Sequence, residues 1–368
     1  MMLKKILTIF IIAISSVYAD ETADKAEFKK LYAEFNELYA NSEELDPIIE
    51  VAEKLYELTP KAYGKVHNNT AVVTYNLASL YDEKGENYNN ENEEKAVDLY
   101  ENYFRILDRL DKPYDQTYLS QYLNYITAYV NVKTITSWEG PISKINKIID
   151  GFEITNMNRA NTILYMGSLY SKAGRLSQSN KSMQEAIEIY AKEQGKDYVN
   201  IGQALFFQAK IDMFRKKRKT AEEKFLRVID IYNKNNMSGH EVVLSTHAFL
   251  VNVYEDMGLS DKATEHCRAV AIDRPKDFDV HIDPIYRKNP KYPASAARAG
   301  RTGWAILEFV VDENGITRNI GIVESSSNAF EKNSIEAVAN FRYAPSVKDG
   351  KIVPTEGVRI RMEYQLAN

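Results

Sequence analysis

The sequence predicts a mainly α chain, a solenoid of stacked helical hairpins, ending in a small α+β domain made of a two-strand hairpin, a helix and a third strand. Three observations predict it. Apolar residues recur at helical spacing over 23–275, with many tyrosines and no convincing strand run. Within that stretch one arrangement of large and small residues returns at a step of 42. Beyond Pro290 the period drops to two, and an Asn-Gly pair stands between two β-rich runs.

Taken in order, the chain opens with Lys4-Lys5, an apolar run over 6–14, and Val17-Tyr18-Ala19. A short basic head, a short apolar core and small residues at the exit describe a secretory signal peptide over 1–19, cleaved after Ala19. A membrane-crossing helix needs about 20 apolar residues, and this run is shorter; the alternative keeps the segment as an anchor in the inner membrane. The remaining chain is then expected to be exported and soluble. A formal net charge of −5, well mixed along 368 residues, argues against a nucleic-acid binder and for two or more domains. Cys267 stands alone, so no intramolecular disulfide forms.

The expected array covers 20–278. Its clearest unit runs Leu250, Val251, Tyr254, Gly258, Ala263, Cys267, Val270 and Pro275. Stepping back from Tyr254 reaches Asp212, Tyr170, Tyr129, Tyr81 and Tyr39, with one longer step of 48 where an Asn/Glu-rich insertion falls around 86–94. Ile48, Ala52 and Leu55, then Ser179, Met183 and Ala186, then Ala221 and Phe225, keep the register. These offsets resemble the longer-helix variety of tetratricopeptide repeat (TPR), in which large and small residues interlock two antiparallel helices. One hairpin cannot bury its apolar face alone, so neighbours stack. The key tyrosines are read as packing residues. The first helix of each pair is expected to line a concave groove through Tyr75, Ser79, Asp82, Lys172, Phe206, Lys210, Asn252 and Glu255, suited to an extended peptide or partner helix. Arg215 to Lys219 reads as a solvated turn and Glu91 to Glu94 as a flexible loop.

After a linker over 279–289, the terminal domain over 290–368 has its first strand at 304–311, a turn at Asp312-Glu313-Asn314-Gly315, a returning strand at 316–324 and a helix at 328–341. The last run, 358–366, alternates strictly: Val358, Ile360, Met362, Tyr364 and Leu366 against Arg359, Arg361, Glu363 and Gln365. The first set is expected to pack on the helix carrying Ile335 and Val338.

Pro290-Lys291-Tyr292-Pro293, Gly303, Asp312 to Gly315, Ser325-Ser326 and Phe341-Arg342-Tyr343-Ala344-Pro345 occur in an order and spacing that closely resembles the carboxy-terminal domain of TonB-family proteins. The resemblance implies a periplasmic protein whose edge strand, 358–366, pairs with a short peptide of TonB-dependent outer-membrane receptors, with Tyr292 and Pro293 near the domain entrance. It implies inner-membrane motor proteins (ExbB/ExbD-like) or another TonB-system component as further partners, with a homodimer as an open alternative. The chain departs from full transducers in lacking a His in its first apolar segment and a Pro-rich spacer, which places direct energy transduction in doubt. The competing reading is a periplasmic interaction scaffold without energy coupling.

Nothing in the sequence supports an enzyme, a cofactor or a metal site. His240 and His247 are seven apart and lack a third donor. Cys267 falls on a core position, and Ser325-Ser326-Ser327 has no nucleophile elbow around it.

Overall fold

The computed structural model describes residues 23–85, 90–133, 135–274 and 283–366. The expected signal peptide and Pro275 lie outside the described residues. The chain divides into two compact units, Met1–Thr155 and Asn156–Asn368.

The first unit holds α1 (Ala23–Asn41), α2 (Leu45–Tyr63), α3 (Asn68–Gly85), α4 (Asn90–Arg109), α5 (Gln116–Val132) and α6 (Glu139–Asp150). Consecutive helices pack as antiparallel hairpins around Tyr32, Leu55, Leu80, Tyr100 and Ile145, all of them buried. Tyrosine is frequent because its ring fills this core while its hydroxyl reaches a polar partner: Tyr103 donates to Gln121 Oε1 at 2.5 Å and Tyr81 to Glu53 Oε1 at 2.5 Å. The stretch read as a flexible loop, Glu91 to Glu94, is instead the first turn of α4. Its acidic residues suit a helix start, where the backbone dipole favours negative charge.

The second unit begins with α7 (Asn156–Lys172), α8 (Leu176–Gln194), α9 (Val199–Phe214), α10 (Arg218–Lys234), α11 (Glu241–Asp256) and α12 (Ser260–Asp273). All six residues found by the 42-residue step lie near the end of the first helix of a hairpin, from Tyr39 in α1 to Tyr254 in α11. In this unit the reason is visible. The carbonyls of Tyr170, Asp212 and Tyr254 accept the N–H five residues on, from Arg175, Lys217 and Leu259, at 2.9, 2.9 and 2.8 Å. This is the 6→1 bond that closes a helix with a left-handed residue, supplied by Gly174, Lys216 and Gly258 at φ +70°, +60° and +72°. The Arg215 to Lys219 stretch is that turn plus the first residues of α10.

The terminal domain follows in the same unit: α13 (Ala294–Arg298), β1 (Gly303–Val311), β2 (Thr317–Ser325), α14 (Glu331–Val338), β3 (Ser346–Lys348), β4 (Lys351–Val353) and β5 (Thr355–Tyr364). β1, β2 and β5 form one antiparallel sheet, and β3 and β4 a separate small hairpin that the sequence reading did not anticipate. A 3₁₀ turn, Asn328–Phe330, opens the expected helix. Ala305, Leu307, Phe309 and Val311 alternate inward and pack with Phe330, Val338, Phe341, Met362 and Tyr364. Gly303 is required where β1 starts, because a Cβ there would stand 2.1 Å from the Phe330 ring.

Candidate functional site

The sheet order is β2-β1-β5, so β2 and β5 are its two edges. They differ in kind. β2 loses register with β1 twice, between Ile306 and Leu307 and between Glu308 and Val310, and Asn319 in the second irregularity has φ +52°. Such bulges twist an edge away from a flat template. β5 pairs with β1 without interruption from Gly303↔Tyr364 to Phe309↔Val358. Among the described residues no strand pairs with its outer side.

On the inner face of β5, Val358, Met362 and Tyr364 are buried and Ile360 is half-buried. Tyr364 is fixed at its hydroxyl, 2.8 Å from Ser334 Oγ, and its ring lies 4.8 Å from that of Phe330. Leu366 departs from the expected inward set: the strand ends at Tyr364, and Leu366 and Gln365 are exposed beyond the helix that would cover them. On the outer face Arg359 bonds Glu308 at 2.6 Å, while Arg361 lies 4.2 Å over the Trp304 ring and bonds Glu363 at 3.0 Å. Tyr292 stands edge-on to Tyr364 and Phe330, and its hydroxyl donates to the Arg301 carbonyl at 2.8 Å; Pro293 is buried. Both pin the domain entrance to the core.

The terminal domain is not held by a tether alone. Arg342 donates through Nε to Glu255 Oε1 at 2.6 Å, with both side chains largely buried. Its backbone pairs with Tyr286 in both directions, at 3.0 and 3.2 Å. Asn252 Nδ2 donates to the Ile285 carbonyl at 3.1 Å, and Ile285 and Tyr286 pack on the cluster around Leu250, Phe249 and Cys267. Asn252 and Glu255, expected to line an open groove, thus grip the chain's own segment. Cys267 is buried beneath, its thiol pushed up to about 12 by desolvation.

The remaining groove candidates fall in separate places. In the first unit Tyr75 is buried, 5.5 and 5.0 Å from the rings of Tyr100 and Tyr103, and its hydroxyl accepts from Asn124 at 2.9 Å; Ser79 bonds Tyr100, and Asp82 is half-buried. Aromatic crowding draws Tyr75 off the solvent face, where it walls a cavity of about 380 Å³ with Leu107, Tyr118 and Gln121. In the second unit Lys172 and Lys210 are exposed, and the Lys210 ammonium lies 5.5, 5.9 and 5.5 Å from the rings of Phe206, Phe207 and Phe249. Asn161, Leu164, Asn200, Gln203 and Phe207 line a recess of about 290 Å³ there. The sequence reading passed over these residues, although Asn161 and Gln203 are 42 apart.

The histidines are used internally. His240 Nδ1 caps α11 by accepting from the Val242 N–H at 3.1 Å, and His247 Nδ1 meets His266 Nδ1 at 2.7 Å. Burial pulls both His247 and His266 down to about 4. Among the described residues no three His, Cys, Asp or Glu side chains are grouped to hold a metal ion, and no helix is long and apolar enough to cross a membrane.

Comparison with known proteins matches residues 288–366 to the family described as Gram-negative bacterial TonB protein C-terminal. No curated protein matches the chain. Among solved structures, a signal transduction ATPase with a tetratricopeptide repeat sensor from Pyrococcus horikoshii is 16% identical, covering 66% of this chain and 35% of its own, with a TM-score of 0.47. The TPR protein YrrB, with an unusual peptide-binding site, is 15% identical over 61% of this chain and 97% of its own, with a TM-score of 0.40. BtubC from P. vanneervenii is 12% identical over 58% and 77%, with a TM-score of 0.41. The hairpins at their 42-residue step and the sheet behind them make this chain a TPR-like helical-repeat protein that carries a TonB C-terminal domain at residues 288–366.

Proposed function

We propose that the chain is a periplasmic TonB-type protein whose β5 accepts an extended peptide of an outer-membrane receptor as an added strand, while its repeats recruit further partners for TonB-dependent transport. The observation that carries the reading is the difference between the sheet's edges: β5 is regular from Val358 to Tyr364, its single irregularity falling at its start beside Gly357, and is unpaired outward among the described residues, whereas β2 is broken by two irregularities along its length. An unpaired edge offers a row of backbone donors and acceptors that bind with little demand on sequence. Arg359, Arg361 and Glu363 stand beside the path of the guest and bias its choice by charge. Motor proteins of the inner membrane are partners of this reading through the repeats or through another TonB-system component.

Disulfide trapping tests it. Cysteines replacing Arg359, Arg361 or Glu363 in turn are expected to cross-link to a receptor-derived peptide carrying one cysteine, each preferring a peptide position two residues from the next. Arg318→Cys on β2 is expected to give none. Native Cys267 is buried and does not compete. Equal trapping on both edges, or none on β5, overturns strand addition and leaves the scaffold reading, in which soluble partners alone are recovered from periplasm.

A further inference from the structure

The face of α7 and α9 around the recess of about 290 Å³ carries side chains that the terminal domain does not engage. We propose that this face binds an extended acidic peptide bearing an aromatic or large aliphatic side chain. The inference rests on the reading of the repeats as a recruiting module and adds the chemistry of the recruit.

Charge is the first argument. The carboxylates near this end of the helices are engaged: Asp212 with Lys224 at 2.6 Å, Asp256 with Arg218 at 2.8 Å, and Glu255 with Arg342 at 2.6 Å. Lys210, one turn from the end of α9, and Lys172, at the end of α7, form no ion pair among the described residues. Two exposed cations thus stand outside these ion pairs. Carboxylates of a guest can pair with them without displacing an existing pair.

Shape and lining are the second. The recess of about 290 Å³ beside Lys210 has an apolar wall, Leu164 and Phe207, and an amide wall, Asn161, Asn200 and Gln203. The apolar wall suits one large side chain; Asn161 Oδ1 already accepts from Tyr190 at 2.7 Å and from Asn200 Nδ2 at 3.2 Å, which leaves Asn161 Nδ2, Asn200 Oδ1 and the Gln203 amide to meet an extended backbone. The Lys210 ammonium already rests over three aromatic rings, so little side-chain freedom remains to be lost when an anion arrives.

The third argument is the chain's own example. One repeat further on, at the position equivalent to Lys210, Asn252 donates its amide to the carbonyl of Ile285 in an extended segment, and Ile285 and Tyr286 pack on the neighbouring aromatic cluster. The same face thus already holds an extended backbone by an amide and apolar side chains by aromatic rings. The α7–α9 portion has the same two elements plus the cations.

The test uses the full chain and fluorescein-labelled decapeptides that alternate Phe with Asp, Phe with Lys, or Ala with Asp, read by anisotropy at low salt. The Phe/Asp peptide is expected to bind at least about tenfold tighter than either of the others. Lys210→Glu and Lys172→Glu are each expected to weaken it by about tenfold, with Lys210→Arg close to the parent and melting temperatures unchanged. Equal affinity for the Asp and Lys peptides overturns the inference and leaves peptide recruitment without charge selection. Loss of binding in Arg359→Glu/Arg361→Glu, but not in Lys210→Glu, also overturns it and assigns the peptide to β5. No binding of any peptide overturns it as well; recovery of partners from periplasm by the repeat array tests recruitment separately.

Discussion

Lys216 holds a left-handed backbone at φ +60° where the equivalent turns before and after it hold glycine. A Cβ in that region costs about 1–2 kcal/mol in an L-residue, so Lys216→Gly is expected to raise stability by about 1 kcal/mol, read as a higher urea midpoint at unchanged slope. Gly315 is the opposite case. Its φ is +73°, and a Cβ would stand 2.1 Å from the Tyr343 carbonyl oxygen. Gly315→Ala is therefore expected to cost about 3 kcal/mol or more, checked by the same measurement. The Asp-Glu-Asn-Gly turn was legible from sequence, but its geometry was not. Only Gly315 takes positive φ there, while Asp312 satisfies the N–H groups of Asn314 and Ile316 through its carboxylate, each at 2.9 Å. A local dipeptide rule sees the Asn-Gly pair and not the aspartate two residues earlier.

At the scale of elements, the repeat step was legible because the large and small residues that interlock each hairpin, such as Tyr81 with Ala96 and Tyr254 with Ala263, are buried and recur with it. The α3 face was harder to read, since Tyr75 fits a groove by position and a core by its neighbours Tyr100 and Tyr103, which come from a different helix. The pairing of α11 with α12 carries a pH dependence. His247 and His266 are held neutral in the fold by burial, at about 4, while in the unfolded chain each takes its proton near pH 6.5, the usual histidine value of about 6.5. Between those values the unfolded state binds more protons, so stability falls as pH drops from about 6.5 towards about 4. Thermal melts across that window are expected to show a steeper loss for the parent than for His247→Gln/His266→Gln. Parallel profiles would show that the pair does not titrate with unfolding.

At the scale of the second unit, the terminal domain and the last hairpin are joined by a largely buried ion pair, a two-way backbone pairing and the Asn252 amide. Removing one member of such a pair leaves the other charge unpaired, so Glu255→Gln is expected to destabilise by about 3 kcal/mol, while Glu255→Gln/Arg342→Met recovers part of the loss. Chemical denaturation of both variants checks it. The contact was invisible in the sequence because Glu255 and Arg342 are 87 positions apart, and no period links a repeat helix to the Phe-Arg-Tyr motif of the domain behind it.

That joint also has a mechanical meaning. Tension on a segment annealed to β5 crosses to β1 along the whole length of the ladder, a shearing geometry in which many bonds share the load. Beyond the turn that ends β1, Ile316 bridges the Arg342 backbone, whose pairing with Tyr286 and ion pair with Glu255 lead into α11. Under the strand-addition reading, a tug at the rim of the sheet would load the last hairpin through these bonds.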